Sequence, residues 1–234
     1  MDALRDLLIR LKQQGVALGH FNVADLVLVK AVVAGAVEVR VPIVVGTSDG
    51  ERDFLGTYEL AALVNVMPAE SDVPVFLNAD HTHSLARAVE AARAGFDAVV
   101  IDFSVLPFDQ NASRTRETVD AIKAINPAIL AEGEIGDIGT RSEIHETVPA
   151  GSGALPRRRK LDSASITPAI EILAPAVGNM HGMLKSDRRG TCAERGREVR
   201  SSHQRFRRRP CFGVCKCRES REVLRGQPRG NVLA

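Results

Sequence analysis

The side chains best suited to take part in a chemical reaction lie in the segment Asn-Ala-Asp-His-Thr-His at positions 78–83, directly after a short apolar stretch. The carboxylate of Asp80 stands beside the imidazole of His81, and such a pair can supply a general acid or base next to a metal ligand. The same pair also occurs in turns that only form local hydrogen bonds, so the segment by itself leaves both interpretations open. We expect His83 to lie at the surface or to support a ligand rather than to bind a metal itself.

Two further carboxylate positions follow apolar stretches. In Glu-Gly-Glu-Ile-Gly at positions 132–136, strand alternation sends Glu132 and Glu134 to the same face. On the interior of a barrel an unpaired carboxylate is costly, so a bound metal or an ion pair is one explanation and a structural role is the other. Asp102, at the end of Val99–Ile101, carries the same two explanations.

A glycine-rich segment, Gly-Asn-Met-His-Gly at positions 178–182, ends the last apolar stretch. Its glycines permit close approach of the backbone to a ligand. His181 taken alone is compatible with a structural histidine as well as with a metal ligand.

Short β-branched stretches alternate with helical ones up to about residue 150, which predicts a parallel sheet of an α/β fold. Polar residues gather where the strands end, as they do at the active site of a (β/α)8 TIM barrel. Six strands are visible where a full barrel needs eight, so we predict an incomplete barrel of about six βα units. The predicted strands are Ala17–Val23, Pro42–Thr47, Pro74–Asn78, Ala98–Phe103, Ala128–Glu132 and Ile172–Val177, and the predicted helices are Leu26–Val39, Tyr58–Val66, Ser84–Ala94 and Thr115–Ile125.

Composition divides the chain near Lys185. Residues 186–234 hold 13 Arg and 1 Lys against 5 acidic residues, a net charge of +9, which leaves −7 for residues 1–185 because the whole chain carries +2. All 4 cysteines lie in the basic part. We therefore predict a partial barrel over 1–185, with an aberrant segment at 156–170, and a disordered basic tail over 186–234.

Membrane and export signals are not apparent in the sequence. No apolar run reaches the roughly 18 residues of a membrane helix, and the first residues lack the pattern of a signal peptide. We expect a cytoplasmic protein that contacts no membrane.

Taken together, the segments resemble the class II, zinc-dependent family of fructose-bisphosphate and tagatose-bisphosphate aldolases. The resemblance covers about residues 1–155 and 171–185, with the matching pieces in family order. These pieces are Phe-Asn-Val at 21–23, Pro-Ile-Val-Val-Gly-Thr-Ser at 42–48, Leu-Asn-Ala-Asp-His-Thr-His-Ser at 77–84, Gly-Phe-Asp-Ala-Val-Val-Ile-Asp at 95–102, Leu-Pro-Phe at 106–108 followed by Asn111, Glu-Gly-Glu-Ile-Gly at 132–136 and Gly-Asn-Met-His-Gly at 178–182.

The resemblance implies a metal site and a catalytic acid/base. Asp80 would exchange a proton with the C4 hydroxyl of the substrate. His81 and His181 would be two of the three histidines on a catalytic Zn²⁺. Asp102 and Glu134 match positions that hold a second or alternative zinc position, where a second divalent or monovalent cation could also bind.

The resemblance also implies a substrate and a partner. Gly182 would contact the dihydroxyacetone phosphate portion, Ser48 the other half of the substrate, and Asn22 would line the substrate site. The expected activity is that of a lyase of glycolysis and carbohydrate metabolism, which cleaves a phosphorylated ketose reversibly. The family forms homo-oligomers, so we expect one here.

The chain departs from the family pattern after Lys185. The family continues to a strand that ends in His-Gly-Gly-Ser-Gly, which carries the third zinc histidine, and neither this segment nor a later Asn-rich strand end is found; His203 does not match it. One alternative is therefore an inactive aldolase remnant. Another is a nucleic-acid-binding module built on Arg205–Arg209 and Phe206. We nevertheless expect no nucleic-acid partner, because an Arg- and Cys-rich amino-acid sequence also arises from translation in a shifted reading frame.

A shifted frame also accounts for the earlier irregular segment. Arg157–Asp162 is compatible with codons that, regrouped by one base, read Thr-Pro-Glu-Glu-Ala-Arg. The family carries this sequence before the helix that leads into the strand Ile172–Val177. Our hypothesis is two compensating single-base errors around residues 156–170 and a third, uncorrected, near Ser186; the alternative is a true divergent insertion. Resequencing of the gene tests it, because an intact alternate frame is required.

Overall fold

Helices and parallel strands alternate along the part of the chain that the computed structural model describes, which is residues 4–67, 72–136, 144–145, 169–176 and 183–184. The predicted tail at 186–234 and all of the segment 156–170 except residues 169–170 lie outside this part. The elements are α1 (Leu4–Gln14), β1 (Gly19–Asn22), α2 (Leu26–Val39), β2 (Ile43–Thr47), α3 (Asp49–Leu55), α4 (Thr57–Val66), β3 (Val75–Thr82), α5 (Leu85–Ala94), β4 (Ala98–Ile101), α6 (Phe108–Ile125), β5 (Leu130–Ile135), β6 (Ile144–His145), β7 (Ile172–Pro175) and β8 (Met183–Leu184).

The main sheet has six strands in the order β1-β2-β3-β4-β5-β7, and every neighbouring pair is parallel. The six predicted strands are these six, so the α/β prediction of an incomplete barrel is confirmed: the sheet is a curled half-barrel with helices between its strands. β6 and β8 form a separate two-stranded parallel sheet. Among the described residues, no helix combines the length and apolar character needed to cross a bilayer.

Local capping explains where several helices begin and end. The Asp25 carboxylate accepts a hydrogen bond from Leu28 N at 2.8 Å at the start of α2, and Ser84 caps α5 in the same way. α5 ends at Ala94 and is followed by its C-cap Gly95, whose φ of 92° is left-handed, a conformation that glycine adopts readily. α2 has the predicted bounds.

Three helical features were not predicted from the sequence. α1 carries leucines at positions 4, 7, 8 and 11, a spacing that is typical of a helix with one apolar face. α3 is only 7 residues long, and its signal is a capping box at Ser48 and Glu51. α6 begins at Phe108 rather than Thr115, directly after Pro107, because proline is tolerated at a helix start.

The two faces of the half-barrel bury different partners. Residues of one face, such as Val45, Leu77 and Ile101, pack in the core that the helices share. On the other face, at the amino ends of the strands, Val44, Phe76, Ala98, Leu130 and Ile172 pack against Leu4 and Leu7 of α1. Full burial of each such leucine contributes roughly 1.5–3 kcal/mol. The inner face is therefore closed by apolar packing at its amino end, which leaves its carboxyl end for polar residues.

Glu171 joins three elements at the closed amino end. Its carboxylate accepts hydrogen bonds from Arg5 of α1 at 2.5 Å, from Lys123 of α6 at 2.8 Å and from the Ala131 N–H of β5 at 2.9 Å. Burial raises the pKa of Glu171, but the hydrogen bonds from Lys123, Ala131 and Arg5 outweigh burial and leave its pKa below the ordinary value of 4.5. The carboxylate form is thus the form that the fold stabilises.

We expect Glu171→Gln to lower the free energy of unfolding by roughly 1–2 kcal/mol near neutral pH, because the charged acceptor of three donors is lost. A lowered pKa contributes stability that is present above the unfolded-state pKa and is lost as the pH falls through the folded-state pKa. The gap between wild type and variant should therefore be constant above about pH 5 and shrink in acid below it. Urea denaturation across this range measures the gap, and a gap independent of pH would contradict the assignment.

Candidate active site

The described site residues lie together at the carboxyl edge of the half-barrel. Asn22 ends β1, Ser48 follows β2, Asp80 and His81 lie near the end of β3, Asp102 follows β4, and Glu134 lies near the end of β5. His181 and Gly182 lie outside the described residues. The arrangement follows from six parallel strands in register, since parallel strands end at the same edge of a sheet.

His81, Asp102 and Glu134 form a buried cluster of metal-ligand type. The His81 Nδ1 atom lies 2.9 Å from Asp102 Oδ2 and 3.5 Å from Glu134 Oε1. One ligand atom from each residue lies within 4.8 Å of the others. A set of one imidazole nitrogen and two carboxylate oxygens suits Zn²⁺. Three residues that stand far apart in the sequence therefore converge on one small volume.

The Asp102 carboxylate is held in its ionised form. Burial raises the pKa of this group, but the hydrogen bonds that it accepts from His81 and from the hydroxyl and N–H of Ser104 lower the pKa to about 2. The Ser104 hydroxyl donates to Asp102 Oδ1 at 2.6 Å and the Ser104 N–H donates to the same atom at 3.0 Å. Asp102 is therefore deprotonated at neutral pH, as a metal ligand must be.

An irregularity at the end of β3 brings Asp80 and His81 to the same edge. In a regular strand two consecutive side chains point to opposite faces. Here the register between β3 and β4 shifts between Ala79 and Thr82, and His81 has a φ of 43°. As a result Asp80 contacts β1 while His81 contacts the residues that follow β4 and lie in β5.

Asp80 is held by a hydrogen bond that passes over β2. The Asn22 amide donates to Asp80 Oδ2 at 2.9 Å, and the His20 Nε2 atom lies 2.9 Å from Asn78 Nδ2. Both contacts join β1 to β3, although β2 lies between these strands. Asp80 itself is only 3% exposed, so its carboxylate is oriented in a site with little access to water.

Gly46 of β2 provides the space for both contacts. A Cβ atom on Gly46 would lie 2.3 Å from His20 Cε1, 2.5 Å from His20 Nε2 and 3.2 Å from Asn22 Oδ1. Any larger residue would therefore displace the two side chains that reach across to β3. His20 and Gly46 were not predicted to belong to the site, and the only signal in the sequence was a glycine within a β-branched strand.

Ser48 and His83 have partners that the sequence did not predict. The Ser48 N–H and hydroxyl both donate to Glu51 Oε2, at 2.6 and 2.9 Å, and thereby start α3. The His83 side chain is 42% exposed, and its Nε2 atom lies 3.6 Å from Asp102 Oδ2. His83 thus lies at the surface beside a candidate ligand, as expected.

Asn111 fixes the strand that carries Glu134. Its buried side-chain amide donates to the backbone carbonyl of Glu134 at 2.9 Å, and the Thr115 hydroxyl donates to Asn111 Oδ1 at 3.1 Å. α6 is thereby fixed to the carboxyl end of β5. The sequence named Asn111 only as part of a motif, since its partner is a backbone atom 23 residues away.

We expect Gly46→Ala to destabilise the protein by roughly 1–3 kcal/mol, because the added methyl group overpacks the space filled by His20 and Asn22. Gly35→Ala in α2 is the matched control, since a Cβ there meets nothing within 4 Å, and it should be neutral or stabilising. Urea denaturation of both variants gives the comparison. Equal effects of the two substitutions would contradict the role assigned to Gly46.

Comparisons with known proteins agree on one family. The model of class-II fructose-bisphosphate aldolase matches residues 2–201, and so runs past Lys185. A fructose-bisphosphate aldolase of Staphylococcus aureus is 28% identical over 188 residues, and a probable fructose-bisphosphate aldolase of Bacillus subtilis is 29% identical over 188 residues. In both cases the match covers 79% of this chain and 64% of the relative. The chain therefore spans less than two thirds of the length of these relatives.

Solved structures share the fold. A putative fructose-1,6-bisphosphate aldolase of Coccidioides immitis superposes with a TM-score of 0.71 at 22% identity, over 86% of this chain and 70% of that one. A fructose-bisphosphate aldolase of Campylobacter jejuni gives 0.70 at 20% identity, over 90% and 68%. The YdjI aldolase of Escherichia coli K12 gives 0.66 at 21%, over 86% and 69%.

Proposed function

The chain belongs to the class-II fructose-bisphosphate aldolase family, and from this premise we propose that its carboxyl-edge site serves zinc-dependent cleavage of a ketose 1,6-bisphosphate. The substrate is fructose or tagatose bisphosphate, and the products are dihydroxyacetone phosphate and glyceraldehyde 3-phosphate. The observation that carries the proposal is the convergence of His81, Asp102 and Glu134 beside an oriented Asp80. The reaction belongs to cytoplasmic carbohydrate metabolism, and the working form is a homo-oligomer.

The residues at this edge fit a zinc ion. His81, Asp102 and Glu134 would hold it in one position, and His181 would join His81 as a ligand in the catalytic position. When bound, zinc acts as a Lewis acid that stabilises negative charge on the substrate oxygens. Asp102 is already ionised, so no carboxyl proton has to leave this residue before a cation binds.

Asp80 is the proton-transfer group of the proposed reaction. Its carboxylate takes the proton of the C4 hydroxyl while the C3–C4 bond breaks, C4 becomes the aldehyde carbon, and the bonding electrons stay with the three-carbon fragment that contains C3. In the condensation direction Asp80 returns this proton to the C4 oxygen. Asn22 holds one carboxylate oxygen at 2.9 Å, and this contact fixes the orientation of the acid/base.

The two ends of the substrate are assigned by the family resemblance. Gly182 contacts the dihydroxyacetone phosphate portion, Ser48 contacts the other half, and Asn22 lines the substrate site. Ser48 stands at the start of α3 with its hydroxyl donated to Glu51. Contact with the substrate therefore requires the Ser48 hydroxyl either to leave Glu51 or to act as an acceptor.

We expect Asp80→Asn to keep the zinc content of the wild type and to lower cleavage of both bisphosphates by about 10²–10⁴-fold, because the acid/base is removed and the candidate ligands remain. Asp120→Asn, an exposed change on α6, is the matched control and should retain activity. Elemental analysis gives the zinc-to-protein ratio, and an aldehyde-release assay gives the rate with each substrate.

The same two measurements separate the proposed enzyme from an inactive remnant. If the wild-type protein holds zinc but cleaves neither substrate, the proposed cleavage activity is contradicted while the proposed metal site is supported. If the wild-type protein holds no zinc, both the proposed zinc-dependent cleavage and the proposed metal site are contradicted. Cleavage of one bisphosphate in preference to the other would identify the substrate.

A further inference from the structure

The backbone at His81 is strained. Its φ of 43° lies in the left-handed region, which a residue with a Cβ rarely adopts because the Cβ crowds the following carbonyl oxygen. Such a conformation persists only where the surrounding structure holds it. Asn22 holds the preceding residue, Asp80, by its side chain. Of the two residues after His81, Thr82 accepts from the Asp102 N–H at 3.0 Å through its backbone carbonyl, and further contacts to both residues come from α3.

Arg52 of α3 ties together the ends of β2 and β3. Its side chain is 0% exposed. Its Nη1 atom donates to the Thr47 carbonyl at 2.5 Å, and its Nη2 atom donates to Thr82 Oγ1 at 3.0 Å. The residue directly after His81 is therefore anchored to a buried guanidinium group. A buried cation needs a charged partner, and Asp49 Oδ1 accepts from Arg52 Nη2 at 2.5 Å.

Asp49 also holds the second residue after His81. Its Oδ2 atom accepts from the His83 N–H at 3.1 Å and lies 3.0 Å from His83 Nδ1. Its Oδ1 atom lies 3.5 Å from Arg87 Nε, and the Asp49 carbonyl accepts from Arg87 Nη2 at 3.1 Å. One carboxylate thus joins α3, α5 and the segment that follows His81.

α3 itself is fixed at its start. Ser48 and Glu51 form a complete capping box there, which satisfies backbone donors at the helix N-terminus. Asp49 is the first residue of this helix and Arg52 lies one turn later. The Asp49 carboxylate and the Arg52 guanidinium group therefore lie on a short helix with a capped N-terminus rather than on a loop.

We propose that Asp49 and Arg52 are positioning residues for the metal cluster, because they clamp Thr82 and His83 and thereby keep His81 in the strained conformation that places its Nδ1 atom against Asp102 and Glu134. The inference deepens the proposed function and rests on its metal site. Neither Asp49 nor Arg52 belongs to the cluster of His81, Asp102 and Glu134. Their effect reaches the cluster through the backbone of the two residues that follow His81.

Asp49→Asn is the main test. The variant keeps the shape of the side chain but replaces Oδ1 or Oδ2 with an amide nitrogen, which cannot accept a hydrogen bond. We expect Co²⁺, used as a spectroscopic probe for zinc, to bind roughly 10–100-fold more weakly and with an altered visible absorption spectrum. In the metal-free protein the ¹⁵N signals of the His81 ring should shift from those of the wild type, because the Nδ1 contact with Asp102 is lost.

Asp53→Asn is the matched control. It makes the same substitution one turn further along α3, at a side chain that is 69% exposed. Its partner Arg87 stays bound to Asp49 and Glu90. The control should bind Co²⁺ with wild-type affinity and spectrum. A loss of affinity equal to that of Asp49→Asn would show a general effect of charge and overturn the proposal.

Thr82→Val tests the clamp if Asp49→Asn fails to fold. It keeps the Asp49–Arg52 pair and removes the Thr82 hydroxyl, which accepts from Arg52 at 3.0 Å and donates to the Ala79 carbonyl at 3.2 Å, so Co²⁺ affinity should fall about fivefold. Unchanged affinity, spectrum and His81 ring signals in a folded Asp49→Asn or Thr82→Val variant would overturn the clamp. If the wild type binds no Co²⁺, the proposed metal site fails, while the metal-free ring signals of His81 still decide the clamp.

Discussion

At the end of β3 two consecutive side chains, Asp80 and His81, both contact residues of the carboxyl-edge site, whereas a regular strand sends consecutive side chains to opposite faces of the sheet. The structure meets the constraint with a register shift against β4 and a left-handed backbone at His81. Each side chain then finds a partner on a different side of β3. The proposed acid/base, Asp80, and the candidate metal-ligand cluster both depend on this one irregular segment.

Several other parts of the structure support that segment and the residues that it contacts. Gly46 leaves room for the contacts that cross β2 and hold Asp80. Asn111 of α6 fixes the backbone of Glu134. Arg52 and Asp49 of α3 form hydrogen bonds with Thr82 and His83, the two residues after His81. Because helices and strands position side chains more precisely than loops do, these supports give the site its geometry.

The two ends of the half-barrel divide stability and chemistry between them. At the amino end, α1 packs apolar side chains into the inner face, and Glu171 joins α1 to α6 and β5. At the carboxyl end, buried carboxylates and a strained histidine replace that packing, at a cost in stability. This separation is the usual arrangement of TIM-barrel enzymes. It is retained in a chain that spans 64% of the length of its curated relatives.

The sequence by itself determined the presence of the six strands, their parallel direction and the bounds of α2, because periodicity and capping are local properties. It also singled out Asp80, His81, Asp102 and Glu134, since polar residues at strand ends can be identified without coordinates. Only the tertiary structure decided how these residues meet, because their partners come from other elements. Arg52 and Thr82 are 30 positions apart, and His20 and Asn78 are 58 apart. Alternation would have sent His81 away from Asp80, and long-range contacts override it at this point.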